Sequence, residues 1–252
     1  MVFPIGDDNS GRVNTPYVNY LLLAANLLVF IFLQGLGGDE RFTYAWATVP
    51  QEIVTGADIA RDVLVRDPIT NDPVARIPLQ PTPGSVYLTL LTSMFMHGGL
   101  AHLFGNMLYL WIFGDNLEDR LGHVRYLLFY LLCGVLASLA HVLTNTDSYI
   151  PSLGASGAIS GVLGGYILLY PHNRVRAIVL RGFLTEIPAW AAIGVWFLFQ
   201  LISGLGMLGG GSQVGGVAYA AHIGGFIAGL VLIKLFAAGR GPAGGAPAWP
   251  RR

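Results

Sequence analysis

Pro151-Ser152-Leu153-Gly154-Ala155-Ser156-Gly157 leads into Ala158-Ile159-Ser160-Gly161-Val162-Leu163-Gly164-Gly165-Tyr166-Ile167-Leu168-Leu169-Tyr170, and Pro171 ends the run. A Gly-x-Ser-Gly turn that opens an apolar helix sets a hydroxyl at the positive helix end, where a nucleophile and the oxyanion it generates are both stabilised. Small residues that pack one membrane helix on another produce the same pattern. The rest of the chain has to separate chemistry from packing.

Of the 252 residues, 54% are hydrophobic and 11% charged, with a mean hydropathy of +0.59. That is too apolar and too charge-poor for a soluble domain of this size. Apolar segments of about 20 residues, the length that crosses roughly 30 Å of hydrocarbon, recur along the chain. We therefore expect an all-α membrane protein: one domain over residues 1–236 and a Gly/Pro/Arg tail, 237–252, disordered on the cytoplasmic side. The net charge of zero offers no footprint for nucleic acid; the lipid bilayer is the expected partner. The single cysteine, Cys133, lies inside an apolar run. It excludes an internal disulfide framework, a Cys-rich zinc site and a CxxC redox motif, and reads as lipid-facing or packing. The stretch Met1–Arg12 has no Lys/Arg-rich lead into the first apolar run, so the first span is expected to be an uncleaved anchor.

Six spans are expected, over about 16–35, 86–113, 126–143, 156–170, 187–205 and 217–236. Between the first two lies a long loop, about 36–85, too polar to cross a membrane. Prolines 68, 73, 78, 81 and 83 give it short elements, with an interfacial helix around Trp46–Ile53 and a charged stretch from Asp58 to Asp72. Six spans put both termini on one side. Ten of the 14 Lys and Arg residues then fall on that side, and the other four, Arg41, Arg61, Arg66 and Arg76, fall in the long loop. By the positive-inside rule the termini are cytoplasmic, and a multi-pass protein of a bacterial plasma membrane is expected.

Ser156 then begins the fourth span from the outer face. Its 15 residues to Tyr170 make about 22 Å of helix, roughly 8 Å short of the hydrocarbon thickness, so the serine starts below the surface. Irregular backbone at that depth requires burial in protein or a wet cavity. His97, His102 and Asn106 near the outer end of the second span, and His222 near the outer end of the sixth, share that depth. A serine needs a base, and His222 is the candidate. Gly157, Gly161 and Gly165 in the fourth span and Gly225 and Gly229 in the sixth form small-residue stripes along which the two helices can approach. No acidic residue falls within a span as a third triad member, so a Ser156–His222 dyad is favoured. The chain also lacks HExxH and paired intramembrane aspartates.

Gly154-Ala155-Ser156-Gly157-x-x-x-Gly161, Ala221-His222-x-x-Gly225 and His97-x4-His102-x3-Asn106 together resemble the rhomboid family of intramembrane serine proteases, over roughly residues 16–236. The resemblance implies a six-helix fold in which Ser156 is the nucleophile and His222 the base. His102 and Asn106 would help to stabilise the oxyanion, with Gly154 and His97 as further candidates, and a loop role bonded to backbone is the other reading of His97. It implies single-span membrane proteins as substrates, cut near a small-residue site, with no metal and no cofactor. This chain carries Ser160 where some bacterial members have an aromatic that stacks on the catalytic histidine, and Trp46-Ala47 where some have a Trp-Arg pair. Two rival readings stand beside this one. One is a catalytically silent rhomboid-like protein that binds membrane clients; the other is a transporter or metal site built from His97, His102 and His222.

Overall fold

The computed structural model describes residues 3–66, 70–179, 182–208 and 218–239. In chain order these form β1 (Phe3–Asp7), α1 (Tyr17–Leu28, prolonged by a π-helical turn, Val29–Leu33), α2 (Glu40–Trp46), α3 (Pro50–Thr55), β2 (Asp62–Arg66), β3 (Pro73–Pro78) and a short α4 (Thr89–Thr92) between 3-10 turns. Then follow α5 (Leu100–Leu121), α6 (His123–Thr144), α7 (Ser156–Leu169), β4 (Arg174–Val179), β5 (Phe183–Pro188), α8 (Ala189–Leu208) and α9 (Tyr219–Phe236). Helix dominates, as expected. By length and composition α6 and α9 are able to cross a membrane, whereas Tyr17–Leu33, Val86–Phe95, Ser156–Leu169 and Ala189–Leu205 are apolar but shorter.

The innermost helix is α7, in which every residue from Gly157 to Tyr166 is buried. A helix apolar all round needs neighbours all round, and α5, α6 and α9 supply them. Glycine sets how near they come. A Cβ on Gly225 would run into the carbonyl of Gly157, one on Gly229 into that of Gly161, and one on Gly161 into the side chain of Cys133 on α6. Cys133 therefore packs, fully buried. A Cβ at Gly105 in α5 or Gly194 in α8 would meet nothing within 4 Å.

Two features depart from an all-α chain. The charged loop folds in part as the antiparallel hairpin β2–β3, with Asp62 paired to Arg76. At the opposite end of the bundle, β1, β4 and β5 form an antiparallel sheet in that order, with Phe3 opposite Ile178 and Arg174 opposite Pro188. Asp7 at the end of β1 is buried, and it accepts hydrogen bonds from the Tyr166 hydroxyl at 2.6 Å and the Asn116 amide at 2.8 Å. Burial pushes its carboxyl up to about 7, against the pull of those two bonds. The end of α9 lies at the same end of the bundle, where Arg125 donates to the carbonyls of Phe236 and Ala238. Of the expected tail only Ala237–Gly239, a turn, is described; the remainder and most of the loop after α8 lie outside the described residues.

The second apolar segment is not one helix over 86–113. Its first turns stop at Phe95, Met96–Gly99 link it on, and α5 opens at Leu100 and continues to Leu121, through the charged run expected to close the span. The cause is tertiary. No side chain of its own caps α1, and Glu118, 1% exposed, accepts the backbone N–H groups of Val18 at 2.8 Å and Asn19 at 2.6 Å. Asp119 accepts those of Val13 and Asn14, and Asp115 pairs with Arg12. The last turns of α5 thus satisfy the orphan donors and the positive dipole end of α1.

Candidate active site

The approach to Ser156 is held from two sides. Thr48, in the link between α2 and α3, pairs with Ser152 as an antiparallel bridge, its N–H on the Ser152 carbonyl at 3.0 Å and the return bond at 2.8 Å. The Thr48 hydroxyl bonds to the Thr89 carbonyl at 2.8 Å and to the Ser93 hydroxyl at 2.9 Å. Two residues after Ser152, the Gly154 N–H reaches the Ser93 carbonyl at 2.9 Å. Gly154 has φ +121°, open to glycine and strained for other residues. It turns the chain into α7, whose first residue is Ser156. A Cβ on Gly154 would also lie 2.8 Å from the His102 ring, so the position excludes a side chain twice over.

His222 sits in the first turn of α9. The glycine contacts between α7 and α9 bring its Nε2 to 2.7 Å from the Ser156 Oγ, an ordinary hydrogen-bond length. Its other ring nitrogen, Nδ1, lies 2.8 Å from Oε1 of Gln200 on α8. The Trp196 ring, one turn earlier on α8, is 6.0 Å from the imidazole, tilted by 35°. Ser160 does not reach the histidine: its hydroxyl donates to the Ser156 carbonyl at 2.6 Å.

His102 and Asn106 lie one turn apart on α5 and flank Gly154. The His102 Nε2 and the Asn106 Nδ2 are 2.8 Å and 3.7 Å from where a Gly154 Cβ would be. His102 Nδ1 accepts the Gly98 N–H at 3.3 Å, so a neutral His102 carries its proton on Nε2, on the Gly154 side. The Asn106 Nδ2, buried, has no hydrogen-bond partner among the described residues. Both are donors waiting beside the serine turn. His97 is fully buried and meets His102 edge to face at 5.2 Å. Its backbone is bonded in both directions by Gln34, which accepts from the His97 N–H and donates to its carbonyl, each at 2.9 Å. A small cavity beside Ser156 is lined by Ser93, Ser138, Ser152, Gly154 and Ala221. Among the described residues, no group of three or more His, Cys, Asp or Glu is arranged to hold a metal ion, so His97, His102 and His222 do not form a metal site together.

Ser156, His222, His102, Asn106 and Gly154 thus converge on one spot, with His97 behind His102. Sequence reading missed Gln200 and Gln34. A signal was present for both: an amide within an apolar helical stretch is costly and points to a specific partner. Trp196 packs against His222 and Phe226.

Residues 84–239 match the family model described as "Rhomboid domain". Among curated proteins the chain is similar to "Rhomboid protein 1, mitochondrial" of Saccharomyces cerevisiae, 32% identical over 148 residues, 57% of this chain and 40% of that protein. It is similar to "Rhomboid protease GluP" of Bacillus subtilis, 40% identical over 137 residues, 54% of this chain and 26% of that one. With "Presenilin-associated rhomboid-like protein, mitochondrial" of Homo sapiens it shares 34% identity over 140 residues, 53% of this chain and 37% of the relative. In each case the matched region is less than half of the relative's length.

Proposed function

The chain belongs to the rhomboid family, and from that premise we propose that it is a serine endopeptidase that cuts single-span membrane proteins within the bilayer. The observation that carries the reading is the 2.7 Å contact between Ser156 Oγ and His222 Nε2. As the Ser156 Oγ attacks the substrate's scissile carbonyl carbon, its proton passes to His222 Nε2. The carbonyl oxygen becomes an oxyanion, and the donors available to it are the Ser156 backbone N–H, the His102 Nε2–H and the Asn106 Nδ2. The imidazolium then protonates the departing amine, the C–N bond breaks and an acyl-enzyme remains. Water, deprotonated by His222, attacks the ester and releases the acid and the free serine. The small cavity beside Ser156, lined mostly by serines, glycines and alanines together with Met94 and Leu153, supports a small side chain beside the cut.

In this reading residues 1–236 form one membrane domain. Its six spans are α1 with its π turn, the segment from Val86 through α5, and α6, α7, α8 and α9, and its outer loop covers about 36–85. The four shorter apolar helices suit a protein whose spans are partly buried in one another rather than in lipid. Gathering of β1, the end of α7 and the end of α9 at one end of the bundle supports both termini on one face. That face is cytoplasmic by its Lys and Arg excess, and the serine opens toward the outer side of a bacterial plasma membrane. Residues 237–252 complete the proposal as a cytoplasmic tail.

The test is cleavage of a single-span reporter by the purified protein in detergent or liposomes, with covalent labelling by a fluorophosphonate in parallel. Cleavage and labelling by the wild type, both abolished in Ser156→Ala and cleavage lost in His222→Ala, are expected. Full cleavage by Ser156→Ala would sink the reading, and a wild-type serine that never reacts would favour a client-binding protein.

A further inference from the structure

We propose that Gln200 is a positioning residue for the base: its side-chain carbonyl accepts the Nδ1 proton of His222 and so holds the tautomer whose Nε2 lone pair faces Ser156. This rests on the protease reading above and adds a third member, on a third helix, to what the sequence presents as a dyad.

A neutral imidazole carries one N–H donor and one bare nitrogen, and which is which follows from their partners. The base that takes a proton from Ser156 has to be bare at Nε2, 2.7 Å from the Oγ. The proton must then sit on Nδ1, and the atom 2.8 Å away from Nδ1 is the Oε1 of Gln200. Among the described residues no carboxylate is bonded to His222, so this amide oxygen is the acceptor in place. Gln200 is itself buried, 6% exposed, within a helix of otherwise apolar stretch. A buried amide there costs free energy unless it is bonded, and its bond is to this histidine.

The placement on α8 is doubly used. Residues four apart share a helix face, and Trp196 and Gln200 are four apart: the ring of one lies against the imidazole and the carbonyl of the other receives its proton. On α7 the position that could have offered a ring holds Ser160, whose hydroxyl is spent on the helix backbone. Orientation of the histidine has moved from the nucleophile's helix to α8. A neutral acceptor also suits a low-dielectric site, because a carboxylate would need its own counter-charge to be buried there. Its weakness is that an amide can present either end. With the NH2 group toward Nδ1 the proton would move to Nε2, and the base would be lost.

The test compares Gln200→Met, which keeps length and removes the acceptor, with Gln200→Glu, whose ionised carboxylate, with the imidazolium as its counter-charge, can only accept. The full chain in detergent is assayed for reporter cleavage and for fluorophosphonate labelling across pH, with its melting temperature as the check on folding. We expect Gln200→Met to lower kcat and the labelling rate roughly 10- to 100-fold at unchanged KM. Gln200→Glu should recover most of that loss, with the acidic limb of its rate profile moved to higher pH, because a carboxylate favours the imidazolium. Wild-type rates and profile in Gln200→Met would overturn the proposal, as would equal losses in Met and Glu. Nitrogen-15 shifts of His222 in the wild type give a reading that no folding defect disturbs: Nδ1–H supports the proposal and Nε2–H overturns it. A wild type that neither cleaves nor labels would instead remove the protease reading, with the tautomer still deciding what Gln200 does.

Discussion

Gln34, at the end of the π-helical turn that prolongs α1, holds the backbone of His97 by two reciprocal hydrogen bonds of 2.9 Å. Its amide also donates to the Thr43 hydroxyl at 2.9 Å, so one fully buried side chain ties α1, α2 and the link before α5 together. Replacing it by leucine leaves the His97 N–H and carbonyl buried without partners. The expected cost is about 1–3 kcal/mol of stability, read as a lower melting temperature in detergent. A Gln34→Leu protein as stable as the wild type would show that water fills the gap.

His102 and Asn106 present donors beside Gly154, and the Asn106 Nδ2 has no acceptor among the described residues. If they serve the oxyanion, His102→Ala and Asn106→Ala should each lower kcat by roughly 10²-fold with little change in KM. A change confined to KM would instead make them substrate-binding residues.

Asp7 links pH to the stability of the sheet end. Its folded-state value, raised by burial to about 7 from an ordinary 3.8, means that the folded protein holds this proton more tightly than the unfolded chain does. The associated stability is fully present below about pH 4 and is lost as pH rises through about 7. Three units correspond to about 4 kcal/mol as an upper bound. Melting temperature should therefore fall between pH 4 and 7 in the wild type, and fall less in Asp7→Asn. Some slope will persist, because burial also raises Glu52 of α3 to about 7. Identical slopes in the two proteins would show that Asp7 is solvated.

Metal chemistry makes the opposite prediction from the Ser156–His222 pair. Since no three of the described His, Cys, Asp or Glu residues can share an ion, reporter cleavage should be unchanged after incubation with a chelator and dialysis. A loss of activity restored by a divalent cation would revive the reading built on His97, His102 and His222.

How much of this could be read from the chain depends on the range of the interactions. The apolar helices announce themselves by length and composition, and the boundaries of α6, α7 and α9 fall within three residues of those expected. The convergence of Ser156, His222, His102 and Asn106 was legible because polar residues in apolar segments are few and these share a depth. The sheet was not legible: β1 finds its partner some 170 residues away in β4, and nothing local in Phe3–Asp7 specifies that register. The extension of α5 through Asp115–Leu121 was hidden for a similar reason, since its acidic turns are there for the N–H groups of α1. Gln200 is a different kind of miss. The residue was visible, but the histidine it meets stands on another helix, 22 positions on, and only three dimensions bring them together.

The glycines sort into two populations that a stability engineer would have to treat differently. Glycine-to-alanine exchange within helices is a common way to reduce the entropy of the unfolded chain, worth roughly 0.4–1 kcal/mol where the new methyl fits. Between α7 and α9 it cannot fit, because carbonyls of the opposing helix occupy the place of the methyl at Gly225 and Gly229. At Gly105 and Gly194 the space is open. A thermostable version of this protein should thus be sought at those two helical sites, on α5 and α8, while the seam that brings Ser156 to His222 is closed to that route.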